Sequence, residues 1–145
     1  MDESRVKRYK EKLDTIQKRI GQISEWTKKH NKSSFTVDEL VKLATYKAYQ
    51  EAVEASMDIV AMLCKDSKIS PKDDYSNIKA LIDKGLLKNK IGDDLIDSNG
   101  LRNRLVHKYN KVDDDTAFVK ILESLPGFER FIDVIEKWMK KKLRE

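Results

Sequence analysis

The side chains best suited to chemistry crowd into ten residues, Gly100-Leu101-Arg102-Asn103-Arg104-Leu105-Val106-His107-Lys108-Tyr109. This string sets cationic, amide, imidazole and phenol groups side by side, a composition suited to handling phosphate. Histidine is scarce: only His30 and His107 occur in the 145 residues. Its unperturbed pKa of about 6.5 makes it the natural proton carrier near neutrality. His30 stands beside Lys28, Lys29 and Lys32, where a helix cap or a solvated residue accounts for it. His107 stands among groups that could hold an anion.

Other chemistries lack their residues. The five glycines, at 21, 85, 92, 100 and 127, form no phosphate-cradling loop. There is no His-Glu-x-x-His string, and Cys64 is the only cysteine, so neither a cysteine-rich metal site nor an internal disulfide can be assembled. Metal-independent chemistry with no cofactor of its own is therefore expected.

On a straight helix Asn99, Asn103, His107 and Asn110 share one face at spacings of four and three, with Arg102 one residue off the stripe. A polar stripe is also what the wet side of any helix presents, so the stripe alone leaves both readings open.

The elements that must position this stripe are helical. Val6, Tyr9, Leu13, Ile16, Ile20, Ile23 and Trp26 recur at spacings of three and four and predict a long first helix. Asn31 to Ser34 breaks the pattern, and Thr36, three residues before Glu39, reads as a capping box opening a second helix that runs to about Leu63. Lys65 to Tyr75 reads as a loop, and Ser76 to Lys84 as a short helix ended by Gly85. A fourth helix is expected to open at Asp93 or Asp94 and to carry the motif to about Tyr109. Asp113 to Asp115 suits the start of a last helix, which Pro126-Gly127 should kink or split. No strand alternation or repeat is present. The expectation is an all-α, single-domain, up-and-down bundle of about five helices spanning residues 1–145.

Charged residues make up 38% of the chain, yet the net charge is only +5, because both signs interleave along most segments. That balance describes solvated helix and favours a polyanionic partner only slightly. Lys140-Lys141-Lys142 reads first as a cationic helix C-terminus rather than a phosphate patch. No apolar stretch is long enough to span a bilayer, and with no disulfide framework the expected location is the cytoplasm.

The motif carries a resemblance. Arg102-Asn103, then His107, then Tyr109, within Gly-Leu-Arg-Asn-x-x-Val-His-x-Tyr, resembles the Arg-polar-x-x-x-His signature of HEPN-domain ribonucleases, and specifically its HepT-like branch, where it extends to His-x-Tyr. The acidic segment that follows and the helical pattern are similar to that branch over nearly the whole chain. The resemblance implies a homodimeric, metal-independent RNase toxin in which the motif helices of two copies meet in one composite cleft. Arg102 and His107 would be the catalytic pair, with Asn103 in support and Arg104 and Lys108 as RNA-backbone contacts. Two copies would also answer a geometric difficulty, since residues five apart lie roughly 140° around an ideal helix and cannot both point at one spot. Gly100 would let the paired helices approach, or is merely a propensity cost.

Tyr109 has three readings: a core or interface aromatic, a stacking surface for RNA, or a regulatory acceptor. The resemblance favours the last, with a minimal nucleotidyltransferase antitoxin, itself dependent on ATP and Mg, transferring AMP to the tyrosine. Messenger and transfer RNA both remain open as substrates. A noncatalytic helical module that docks a nucleotidyltransferase and presents nucleotide or substrate to it is the alternative, and a plain helical adaptor is the third reading.

Overall fold

The computed structural model describes residues 1–107 and 113–145. Lys108, Tyr109 and Asn110, named above in the motif, lie outside the described residues. Six helices occur among the described residues, with no strand: α1 (Glu3–Thr27), α2 (Lys32–Val37), α3 (Glu39–Asp66), α4 (Asp74–Asp83), α5 (Asn89–Val106) and α6 (Asp114–Leu143).

Short polar side chains set most of the starts. Asp2, Asn31, Asp38, Asp73 and Asp113 each accept a hydrogen bond from the backbone N–H three residues on, satisfying a donor that no helical carbonyl reaches. The α5 start is the exception, since Lys88 supplies no side-chain cap. It is placed instead by the turn before it. Gly85 takes φ +78°, and the Leu86 and Leu87 amides both fold back on the Leu81 carbonyl, at 2.9 and 3.3 Å. That is the left-handed terminus expected at Gly85, a conformation that disfavours a Cβ.

Ion pairs give the register of the longest packing. Arg5–Asp66, Lys12–Asp58 and Arg19–Glu51, at 2.9, 2.8 and 2.7 Å, run in opposite chain directions and fix α1 antiparallel to α3. Between them lies the core. Tyr9, Ile16 and Ile23 of α1 meet Tyr49, Ile59 and Leu63 of α3, all almost fully buried, and α6 adds Ile121, Phe128, Phe131 and Ile135. The cluster also takes in Ile78 and Leu81 of α4 and Leu95 and Leu101 of α5. One contiguous apolar interior thus reaches all five long elements, the condition for an up-and-down bundle. Phe35 of α2 closes one end, its ring 4.8 Å from Phe118 and 5.9 Å from Tyr46.

Several boundaries differ from expectation. Thr36 does not open the second long helix. It lies inside α2, whose capping box is Asn31 with Ser34, and Asp38 caps α3. Three competing caps within eight residues allowed an additional turn of helix that apolar spacing could not show. The motif helix starts at Asn89 rather than at Asp93 or Asp94, because Asp94 serves as a surface partner of Lys90 and Arg130 instead of a cap. It also stops at Val106. Pro126 does not split α6, which continues from Asp114 to Leu143 around it. Gly127 has a packing role: a Cβ there would lie 3.1–3.3 Å from the Asp94 side chain, so its absence lets α6 pack close to α5.

Candidate functional site

The α5 helix carries the motif on its last two turns. Its apolar face is anchored by Ile91, Leu95 and Leu101, and Ser98 is buried alongside them. With that face committed to the core, Gly100, Asn103, Arg104 and Val106 are left exposed. Among the described residues a Cβ at Gly100 would meet nothing within 4 Å, so no packing there requires a glycine.

His107 is not on the helix as the stripe assumed. Its N–H donates to the Asn103 carbonyl at 3.0 Å, closing the final turn, but its own backbone is extended, φ −91° and ψ 119°. The imidazole is exposed at the helix end. Asn99 and Asn103 therefore do not continue into His107 as one helical face, and the 140° separation of Arg102 from His107 on an ideal helix no longer describes them. The cause lies at the chain's exit from α5: the residue that caps the helix is the histidine itself.

Arg102 does not project freely from the helix. Its side chain is only 17% exposed and is turned against α3 and α4. Nη2 donates to Asn99 Oδ1 at 2.8 Å, one turn back, and lies 3.6 Å from Asp74 Oδ2. Nη1 is 3.5 Å from Glu54 Oε1. Its Nε is buried with no hydrogen-bond partner among the described residues. Of these partners only Asn99 was legible from spacing. Glu54 and Asp74 are 48 and 28 residues away in sequence, and nothing local marks them.

Arg104 is exposed on another side of α5. It borders a cavity of about 610 Å³ between α5 and α6, and also a hollow of about 700 Å³ floored by Thr36, Tyr46 and Asp113 to Asp115. That hollow is tied down by Tyr46 Oη donating to Asp114 Oδ1 at 2.5 Å, Lys42 Nζ at 3.1 Å from Asp114 Oδ2, and Thr36 Oγ1 donating to Asp115 Oδ1 at 2.9 Å. These bonds fix where the chain re-enters the bundle after the motif. Asp113, the N-cap, is held below the ordinary carboxylate pKa by hydrogen bonds from the Thr116 backbone and hydroxyl. Lys108 and Tyr109 fall in the segment outside the described residues.

The arrangement can therefore present an imidazole, an amide and an exposed guanidinium at one end of a helix, with a second, guarded guanidinium alongside. No described helix is long and apolar enough to cross a membrane.

Comparison with known proteins finds relatives over most of the chain. The tRNA nuclease HepT of Aphanizomenon flos-aquae is 29% identical over 101 residues, covering 68% of this chain and 67% of its own. The mRNA nuclease HepT of Shewanella oneidensis is 29% identical over 106 residues, covering 72% and 77%. A solved structure of the tri-AMPylated Shewanella oneidensis HEPN toxin in complex with MNT antitoxin superposes with a TM-score of 0.83 at 25% identity, over 94% of this chain and 99% of that one. The family described as Ribonuclease HepT-like matches residues 16–135. With a fold that superposes on a HEPN toxin and a family match over most of its length, this chain belongs to the HepT-like ribonucleases.

Proposed function

We propose that this protein is the toxin of a toxin–antitoxin pair, a homodimeric, metal-independent endoribonuclease silenced when a minimal nucleotidyltransferase antitoxin AMPylates Tyr109. Residues 1–145 act in this reading as one HEPN domain working on RNA in the cytoplasm. The observation that carries it is the exposed helix end where His107, Asn103 and the uncovered Gly100 lie together, in a chain whose fold matches a toxin solved with its antitoxin.

In the reaction the ribose 2′-oxygen attacks phosphorus and the P–O5′ bond breaks, leaving a 2′,3′-cyclic phosphate and a free 5′-hydroxyl. His107 takes the 2′-OH proton or delivers one to the departing 5′-oxygen, and its counterpart in a second copy serves the complementary step. Positioned proton transfer of this kind contributes typically about two to four orders of magnitude in rate. Arg102 binds the scissile phosphate and offsets the charge that builds up on it. Asn103 orients the phosphate or the imidazole, and Arg104 and Lys108 hold flanking backbone. Gly100 and the exposed Val106 leave α5 open to close approach by its twin. AMP on Tyr109 would place a phosphodiester anion next to this cationic end and exclude RNA from it.

The test is cleavage of transfer and messenger RNA by the purified protein in the presence of EDTA. Cyclic-phosphate ends, and their loss in His107→Ala, are expected. Activity that disappears with the chelator and returns with a divalent ion would refute the mechanism.

A further inference from the structure

We propose that Glu54 and Asp74 compete with RNA phosphate for Arg102, and so set how tightly the site holds its substrate. This rests on the ribonuclease reading and adds two residues to it that the motif does not contain.

The donors of the guanidinium can be accounted for individually. An arginine offers five N–H groups, and a phosphate is best held by two parallel ones on one edge of the fork. On Arg102 the Nη1–Nη2 edge is engaged by Asn99 at 2.8 Å, Glu54 at 3.5 Å and Asp74 at 3.6 Å. The other edge includes Nε, which is buried and makes no bond among the described residues. Neither edge can accept a phosphate bidentately in this arrangement, so RNA must displace a carboxylate or draw the guanidinium outward.

The local charge points the same way. One cation faces two carboxylates, so an incoming phosphate must take the arginine over from partners of its own sign. The three partners differ in kind. Asn99 makes a hydrogen bond of normal length from the same helix. The two acids stand farther off, at 3.5 and 3.6 Å, beyond a hydrogen bond of normal length, and are 46% and 40% exposed, so water can take them up when phosphate arrives. Asn99 therefore positions Arg102, whereas Glu54 and Asp74 hold it back until a stronger anion replaces them.

The test uses the full chain carrying His107→Ala, so that RNA binds without being cut, and follows a fluorescent single-stranded RNA by anisotropy. Glu54→Gln and Asp74→Asn should each lower Kd about fivefold in dilute salt, the effect of removing one charge about 4 Å from another in a watery setting. The gain should shrink as salt rises. In an Arg102→Ala background the same substitutions should change Kd less than twofold. An unchanged or raised Kd overturns the proposal and makes the carboxylates supports for Arg102. So does a gain that survives Arg102→Ala, which would be a general surface-charge effect. Those results leave the ribonuclease reading standing if the parent protein still cleaves RNA. Failure of the parent to cleave, together with no RNA binding by any variant, overturns both.

Discussion

Removing one hydroxyl tests whether the corner behind the motif is held as its geometry implies. Tyr46→Phe deletes the bond to Asp114 but keeps the ring that packs edge-on against Phe35. A hydrogen bond to a charged group contributes about 1.5–3 kcal/mol. The low end applies here, because Asp114 keeps Lys42 and its side chain is 32% exposed, so water can replace the phenol. The expected loss is ~1.5 kcal/mol, which for a chain of this size lowers Tm by about 3–6 °C. Urea unfolding followed by circular dichroism should show this as a shift in midpoint at constant slope. A cycle with Asp114→Asn should give a coupling of about 1 kcal/mol. A pH arm sharpens the test. Burial first, and then the Asp114 carboxylate, push the Tyr46 phenol above its ordinary 10.0. Below that pH both folded and unfolded chains keep the proton. Above it the unfolded chain ionises first, so stability falls as pH rises, and Tyr46→Phe should lose less than the parent. A change below about 0.5 kcal/mol with no coupling would show that water replaces the phenol and would refute the corner as a structural anchor.

Other outcomes follow from the same packing. In Gly92→Ala the new Cβ would lie 2.3 Å from Ile82 Cδ1 and 2.9 Å from Cγ1, so despite better helix propensity the variant should lose ~1–2 kcal/mol, and Ile82→Val, which removes Cδ1, should recover much of it in the double variant. No recovery in urea melts would mean that α4 and α5 accommodate the methyl in some other way. Asp2, Asp73 and Asp113 are all held below the ordinary 3.8 by capping hydrogen bonds, so their stabilisation is present above that pH and is lost as pH falls through their folded values. Helicity monitored from pH 5 to 2 should fall less steeply in the triple Asp→Asn variant, and an identical slope would assign acid unfolding to other carboxylates.

Much of the architecture was legible from residue order. Apolar spacing of three and four located the long helices, because burying one stripe per helix is the main force that orders them. Gly85 and Asp113 marked termini correctly, since a positive φ and an N-cap are local demands met by local residues. The chemistry-bearing string was found for the same reason: its residue types and spacing are a property of ten consecutive positions.

What the sequence left open depends on contacts between distant segments. Three polar residues close together, Asn31, Thr36 and Asp38, could each cap a helix, and only packing of Phe35 against Phe118 and Tyr46 selected the arrangement with an additional α2. The motif histidine caps its helix rather than extending it, which no periodicity reveals. Arg102 belongs to the motif by spacing, yet its nearest charges come from α3 and α4, brought beside it by the bundle. Residue type and order thus determined which groups exist to meet a phosphate. Tertiary structure decided which of them is already engaged, because electrostatic interaction depends on distance in space, and Glu54 and Asp74 are near Arg102 only once the chain has folded.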